Sequence, residues 1–372
     1  KNPDYPYDFF HPNVDLAGGD NGPGLDDPET NDMEYAVKFW RWPNGTYIET
    51  VAELKAILWH LQEHLYYLCP YGVMMQAVAT NAYHPSVGGV VNAYGYGADI
   101  FETYMYSYWK GAIPPGQTAT SMSIANPGPI TTLNTGWLST YYDYEVYAWL
   151  IDGLWAVEPS DLHRDIMWGS INWSYASWSS PGSPWYVTYG QKVRFNLREG
   201  MYWHDGTPFT AEDVLFSYHT IKKLGLTAYY SILTTLVYAD VLDDYTIDIY
   251  MNCTGIWYVY DYAAGAMLFN DNVWKYWWDR VDTVGQTMAS AEAEAWTPWS
   301  VDYDTWMLQK YGKVTNTGGL TCLVGTGPMI FKSWDRVAGV CEIIANRPGA
   351  MHAGNPGYWR TAQVVSSVNA PN

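Results

Sequence analysis

One short motif in the chain has the residue types and spacing of a metal site. His60 and His64 are four positions apart, with Glu63 between them, in an HxxEH pattern. The apolar repeat predicts a helix from Val51 to Cys69, on which this spacing places both imidazoles on one face, able to bind zinc beside Glu63 as a general base. A metal site needs a further ligand, and the pair lies beside the apolar stripe of the helix. We therefore interpret it as a solvated flank and predict no metal, no cofactor and no catalytic residue.

Other sequence patterns of catalysis are missing. No serine lies in a GxSxG pattern, and no cysteine is evidently paired with a histidine. The glycine-rich run from Gly319 to Gly327 lacks the GKS or GKT ending of a phosphate-binding loop. We therefore expect a protein that is not an enzyme.

Charge and composition narrow the choice of partners. The 372 residues include 19 basic and 38 acidic side chains, a net charge of −19, which argues against a nucleic acid or an anionic membrane surface as partner. Charged residues make up only 15% of the chain and aromatic residues 17%, whereas about a quarter of an average domain is charged. This balance indicates an exterior built from tyrosine, tryptophan and uncharged polar residues, which suits an exposed extracellular setting. The length predicts two or three domains.

Cysteines and glycosylation sequons are typical of a secreted protein. Four cysteines permit two disulfides in three connectivities, among which the sequence does not select: Cys69, Cys253, Cys322 and Cys341. Sequons begin at Asn44, Asn172 and Asn252, although chance matches are common in a chain rich in asparagine and threonine. No apolar run is long enough to span a bilayer, and we expect a mature form that lacks a signal peptide. We expect a secreted, extracellular or cell-surface protein in its mature form.

The stretch from Val193 to Gly225 predicts a strand, a tight turn and a capped helix. Apolar and polar residues alternate over 193–198, as they do in a half-buried strand. An Asp-Gly pair supplies the turn. Thr210 is the predicted N-cap, Asp213 completes a box-like pair with it, and Gly225 ends the helix.

The residues LREGMYWHDGTPFTAEDVLFS, from Leu197 to Ser217, resemble the signature of the family 5 extracellular solute-binding proteins. These proteins are the oligopeptide, dipeptide, nickel and oligosaccharide receptors of ABC importers. The resemblance implies an α+β, or mixed α/β, fold of the periplasmic-binding-protein type, with an extra subdomain and mixed sheets flanked by helices. It also implies that the stretch helps to build a lobe wall, so neither His204 nor Asp205 is expected to be catalytic.

The resemblance covers most of the chain, but in an altered order. Residues 1–112, with PDYPYDFF, GGDNGPGLDDPE and CPYGVMM, resemble the C-terminal part of the second lobe. Residues 113–372 resemble the first lobe with an inserted subdomain, including a helix that ends in LIDGL, the signature at 193–225, a hairpin within 325–346, and NPGYW. The part that follows NPxYW in the family is absent, so we predict a second lobe that is incomplete or completed by another chain. An excerpt or processing product of a longer chain and a circular permutation both explain this order.

The resemblance also implies ligand-binding residues. In peptide-binding relatives the aspartate of an ADYxxP-like pattern pairs with the amino terminus of the ligand, and Asp4, followed by Tyr5, matches it. Trp137, Tyr141 and Tyr142 lie in the segment that lines the cleft in relatives, where aromatic faces bind sugars or peptide side chains. The alternatives are an ordinary loop carboxylate and aromatic side chains of the core or surface.

Two functions fit these observations. The resemblance implies non-catalytic capture of a peptide or oligosaccharide between lobes, for delivery to an ABC permease at the membrane. The alternative is a receptor fold co-opted as a structural subunit, in which copies of the chain assemble into a filament, a tube or a surface layer.

Overall fold

The computed structural model describes a defined part of the chain. The described residues are 28–68, 82–91, 103, 106–118, 121–123, 128–131, 133, 135–136, 138, 140–157, 164–165, 168–180, 187–272, 274, 323–335, 337–350 and 354–360. The chain divides into two compact units. The first comprises Lys1–Ala79, Tyr175–Val193 and Tyr250–Tyr260, and the second comprises Thr80–Ser174, Arg194–Ile249 and Asp261–Asn372. The boundary between residues 112 and 113, which rests on resemblance between sequence segments, stays a prediction.

In the first unit two helices form a small apolar core. Helix α1 spans Pro28–Phe39, and helix α2 spans Val51–Leu68, as the apolar repeat predicts. The side chains that they and their connection bury are Ala36, Val37, Trp40, Ile48 and Leu54. Between the helices, the residues from Arg41 to Tyr47 form a tight hairpin closed by an isolated β-bridge.

The largest sheet has four strands in the order β5-β6-β8-β7. Its strands are β5 (Ser170–Ser180), β6 (Val187–Leu197), β7 (Leu236–Asp243) and β8 (Thr246–Met251). The Arg194 guanidinium in β6 binds the buried Asp248 carboxylate in β8 through two bonds of 2.6 and 2.7 Å. This bidentate pair joins neighbouring strands and satisfies a carboxylate that would otherwise be buried without a counter-ion.

The predicted strand, turn and capped helix are confirmed. Buried and half-buried residues alternate from Val193 to Leu197 in β6. Helix α4 spans Ala211–Leu224, and the N–H of Thr210 donates to the Asp213 carboxylate at 2.7 Å, as a capping box requires. Gly225 ends the helix with a left-handed backbone, φ 63°. The turn between β7 and β8 holds this arrangement in place, because its carbonyls accept hydrogen bonds from the N–H groups of Leu197 and Ala211.

Shorter elements complete the second unit. Its helices are α3 (Tyr141–Leu150), α5 (Tyr230–Thr235) and α6 (Ile256–Gly265), the last of which is divided between the units. Short antiparallel pairs are formed by β1 (Val87–Gly88) with β2 (Tyr108–Trp109), and by β3 (Ala156–Val157) with β4 (Arg164–Asp165). The predicted hairpin within 325–346 is confirmed as β9 (Met329–Asp335) paired with β10 (Val340–Ala345). The fold is mixed helix and sheet, as the sequence predicts.

Among the helices that the structure describes, none combines the length and the apolar character needed to cross a bilayer.

Candidate functional site

Helix α3 carries two of the predicted cleft aromatics on its first turn. The start of this helix is fixed by a capping box: the N–H of Asp143 donates to the Thr140 hydroxyl at 3.2 Å, and the N–H of Thr140 donates to the Asp143 carboxylate at 3.0 Å. The same buried carboxylate accepts two hydrogen bonds from Thr131, at 2.6 and 2.7 Å. One aspartate therefore fixes both the helix start and the loop before it.

Three tyrosines are displayed at this fixed helix start, and we call them the tyrosine surface. Tyr141 is 67% exposed and Tyr144 is 47% exposed. Tyr142 is half-buried, with its ring so close to Gly128 that any side chain there would overlap it. The rings of Tyr141 and Tyr142 meet edge to face, with centroids 5.8 Å apart. Such rings offer faces for stacking and hydroxyls for hydrogen bonds, which suits uncharged ligand groups.

The other end of α3 leads into a buried carboxylate, Asp152. Its two oxygens accept hydrogen bonds from the Tyr358 hydroxyl and the Trp359 indole, each at 3.2 Å. Burial raises the pKa of the Asp152 carboxyl to about 6, while the hydrogen bonds from neighbouring side chains and the charge of Arg360 act against this rise. We call Asp152 with these partners the Asp152 cluster. It joins the end of the LIDGL segment to the NPGYW segment.

The NPGYW residues are held by a chain of amide hydrogen bonds. The Asn355 side chain donates to the side-chain oxygen of Asn346 at 3.0 Å, and the Asn346 side chain donates to the carbonyl of Gly327 at 3.0 Å. The N–H of Tyr358 donates to the carbonyl of Asn346, also at 3.0 Å. The motif residues Asn355, Tyr358 and Trp359 therefore hold their own segment in position.

Cations and indoles pack around the outside of the Asp152 cluster. The Arg198 guanidinium lies 4.4 Å from the centre of the Trp359 ring, and Arg360 lies 4.1 Å from that of Trp168. The two indoles meet edge to face at 5.7 Å. These stacked groups cover the buried carboxylate and restrict the access of water to it.

His204 in the signature has a structural role. It is 5% exposed; its Nδ1 accepts the N–H of Gly325 at 3.1 Å, and its Nε2 lies 3.0 Å from the carbonyl of Gly327. These partners require a neutral ring with the proton on Nε2. Burial lowers the pKa of His204 to about 4, which favours the neutral form. His204 thus ties the signature turn to the segment that enters β9.

The other predicted site residues are scattered. Asp4, Tyr5, Trp137, Cys69 and Cys322 lie outside the described residues, so their roles stay predictions. Asn44, Asn172 and Asn252 are exposed, whereas Cys253 and Cys341 are half-buried. His60 is exposed on α2, and the described parts of the chain bring together no group of three residues suited to a metal ion.

The Asp152 cluster was not predicted from the sequence. Both of its segments, LIDGL and NPGYW, stand out as motifs, but they are about 200 positions apart, and nothing local indicates that they meet. The capping role of Asp143 does have a local signal, because a threonine three residues before an aspartate opens the helix.

Comparisons with known proteins agree with this architecture. The model of the family described as bacterial extracellular solute-binding proteins, family 5 Middle, matches residues 176–369. No curated protein sequence matches the chain.

Solved structures resemble parts of the chain at low identity. A mannohexaose-bound periplasmic oligopeptide-binding protein from Thermotoga maritima is 18% identical, with a TM-score of 0.35, over 56% of this chain and 30% of its own. The ABC transporter-associated periplasmic binding protein DppA from Helicobacter pylori, in complex with the peptide STSA, is 16% identical, with a TM-score of 0.35, over 56% of this chain and 36% of its own. AppA from Bacillus subtilis, in complex with a nonapeptide, is 14% identical, with a TM-score of 0.33, over 57% and 33%. The matched part spans about a third of each solved protein.

The family match covers more than half of the 372 residues and includes the whole signature stretch, the β9–β10 hairpin and NPGYW. The chain therefore belongs to the family 5 bacterial extracellular solute-binding proteins.

Proposed function

We propose that this protein captures a peptide or an oligosaccharide outside the cell, without catalysis, and delivers it to an ABC permease. The observation that carries the proposal is the family match over residues 176–369. Within that match, the described residues include the capped helix α4 and the buried His204. Binding proteins of this kind work by closing on a ligand, which shifts the population toward the closed state.

We place the ligand contact at the tyrosine surface. Its rings are uncharged and stand on a rigid helix start. Stacking of a ligand on these rings therefore requires little ordering of the protein, and little binding free energy is lost. Sugar rings and the apolar parts of peptide side chains both suit such faces. With a net charge of −19, the protein would also repel strongly anionic ligands, so neutral or cationic ones are favoured.

Calorimetric titration with a panel of short peptides and oligosaccharides tests the proposal. Tyr141→Ala should weaken binding of a ligand found this way by about 1 kcal/mol, or about fivefold in Kd, because one stacking partner is lost. Tyr230→Ala is a matched control: Tyr230 is also 67% exposed and also begins a helix, but it stands on α5.

Equal loss of affinity in the two variants would contradict the placement at the tyrosine surface. No heat with any ligand class would overturn the receptor function itself. Filaments or sheets in negative-stain micrographs of the same non-binding sample would favour the structural-subunit alternative.

A further inference from the structure

The three sequons differ in a way that their sequences do not reveal. Each begins with an exposed asparagine: Asn44, Asn172 or Asn252. A modifying enzyme recognises the hydroxyl residue two positions later as well as the asparagine, so both side chains must be reachable if the folded protein is to be modified. On this criterion the structure excludes one site, because Thr254 is buried, whereas Asn44 with Thr46 and Asn172 with Ser174 are all exposed.

Asn44 lies at the tip of the hairpin between α1 and α2. Hydrogen bonds of 2.8 Å run from the N–H of Trp42 to the carbonyl of Thr46 and from the N–H of Gly45 to the carbonyl of Trp42. Gly45 has a positive φ of 92°, as the tip of such a tight turn requires. Both Asn44 and Thr46 are exposed, so both recognised side chains are accessible.

The Asn44 side chain is already held in one orientation. Its Oδ1 accepts the N–H of Thr46 at 2.9 Å, which is an Asx-turn. This bond occupies the amide oxygen and leaves the amide nitrogen, the atom that is modified, without a hydrogen bond to any described residue. The bond also uses the backbone of Thr46 and not its hydroxyl.

Packing beneath the hairpin keeps its tip rigid. The Arg41 guanidinium lies 4.0 Å from the centre of the Tyr189 ring, and the rings of Tyr47 and Tyr189 are 6.3 Å apart. A β-bridge joins Arg41 to Tyr47 across the base of the hairpin. The tip is therefore presented from a fixed base in the folded protein.

Folding makes the sequon at Asn252 inaccessible. Thr254 is 5% exposed, and its hydroxyl donates to the carbonyl of Phe39. An enzyme acting on the folded chain cannot reach that hydroxyl without breaking this contact.

The sequon at Asn172 is constrained by the sheet. Asn172 and Ser174 lie within strand β5, and the Asn172 side-chain oxygen accepts a hydrogen bond from the Asn196 amide in the neighbouring strand β6. The Asn172 side chain is thus held against the neighbouring strand, whereas the Asn44 side chain is held by a bond within its own hairpin.

We propose that Asn44 is the N-glycosylation site of the folded protein. The amide nitrogen of Asn44 attacks the anomeric carbon of an oligosaccharide carried on a polyprenyl phosphate or diphosphate. A C–N bond forms, the bond from that carbon to the phosphate oxygen breaks, the phosphate leaves with the electron pair, and one amide proton passes to a base. No atom changes oxidation state overall.

Glycopeptide mass spectrometry on the protein from its natural source tests the site. Trypsin releases a peptide from Trp42 to Lys55 that contains Asn44 as its only asparagine in a sequon, and the other two sequons fall in different tryptic peptides. We expect sugar mass increments on the Asn44 peptide, at higher occupancy than on the other two. An unmodified Asn44 peptide, or higher occupancy at Asn252 or Asn172, would overturn the proposal.

A second experiment tests whether the preference for Asn44 depends on the folded structure or on the sequon sequence alone. Folded and urea-unfolded protein are each given to an oligosaccharyltransferase with a short lipid-linked oligosaccharide. The folded protein should be modified at Asn44 at least tenfold faster than at Asn172 or Asn252, and unfolding should remove this preference.

Thr46 supplies the matched variants. Thr46→Ala keeps the backbone N–H that binds Asn44, so the circular dichroism spectrum should be unchanged. Modification at Asn44 should nevertheless fall at least tenfold, and Thr46→Ser should restore that modification. Modification that persists in Thr46→Ala, or equal rates at all three sites in the folded protein, would refute the role of the hairpin.

Discussion

Asp152→Asn should remove one contribution to the dependence of stability on pH, a destabilisation that develops as the pH rises from about 4 to about 6. Burial raises the pKa of the Asp152 carboxyl from 3.8 to about 6. Because this folded-state pKa lies above the unfolded one, the folded protein binds more protons than the unfolded chain between these two values. The contribution of Asp152 to the free energy of unfolding therefore decreases with rising pH across this window and levels off above it.

The size of the effect follows from the change in pKa. A rise from 3.8 to about 6 corresponds to about 3 kcal/mol, at about 1.36 kcal/mol per pKa unit. Asparagine keeps an acceptor for one of the two donors, the Tyr358 hydroxyl or the Trp359 indole, and loses the other. That loss costs about 1–3 kcal/mol at every pH, so it moves the whole stability curve without changing its slope.

Urea unfolding followed by circular dichroism at half-unit steps from pH 4 to pH 7 measures the difference between wild type and variant. This difference should change by about 2–3 kcal/mol between pH 4 and pH 7 and level off as the pH rises past 6. Parallel curves for the two proteins between pH 4 and pH 6 would refute the assignment of a buried, titrating carboxyl to Asp152.

Two further variants test the same explanation of the pH dependence. Tyr358→Phe removes a hydrogen bond that lowers the pKa of Asp152, so it should shift the window to higher pH and enlarge the fall. Burial also raises the pKa of the capping-box carboxyl Asp213 to about 6. Asp213→Asn should therefore remove a separate part of the wild-type slope, and its effect should add to that of Asp152→Asn.

Two predictions concern close packing and a strand-to-strand ion pair. Gly325→Ala should destabilise the protein by more than about 4 kcal/mol in urea unfolding, since its new carbon would lie 1.8 Å from a backbone carbonyl oxygen of α3. Gly339→Ala is the control: the space around Gly339 is open, so this variant should lose only about 1–2 kcal/mol, the strain of its left-handed backbone. Similar losses of stability in the two variants would contradict the predicted steric clash. Arg194→Ala should lower the free energy of unfolding by about 2–3 kcal/mol, less than the loss of a fully buried pair, because the Arg194 side chain is 39% exposed. The double variant Arg194→Met with Asp248→Leu should recover at least half of that loss. No recovery would show that the unpaired, buried Asp248 carboxylate is not the cause of the loss.

Local elements were predictable from the sequence where the governing forces are local. The capping box of Thr210 and Asp213 and the left-handed stop at Gly225 depend on residues within a few positions of each other, and each was confirmed. Helix α2 followed from the spacing of its leucines, and Leu54 is indeed buried in the first unit. Such features need no knowledge of distant partners.

Distant contacts were not predictable, because their partners carry no local sign of each other. Gly325 appears in the sequence as part of a turn before a strand, yet the structure requires a glycine there because the carbonyl of Leu150 lies against it. His204 appears in the signature as a turn residue beside Asp205, and nothing in the sequence indicates that its ring is buried between two backbone groups of a segment about 120 positions away. A single sequence records that these residues are present but not which residues they meet.

The roles of Asp143 and Asp152 show why motif residues in this chain act mainly by holding segments in place. The two carboxylates flank α3: one fixes its start to the preceding loop, and the other joins the segment after it to NPGYW. Both are buried and fully hydrogen-bonded, so neither can serve a ligand without breaking its structural bonds. In our proposal, ligand recognition falls instead to the uncharged rings of the tyrosine surface. A helix fixed at both ends holds those rings in a constant position, which is what stacking on a ligand requires.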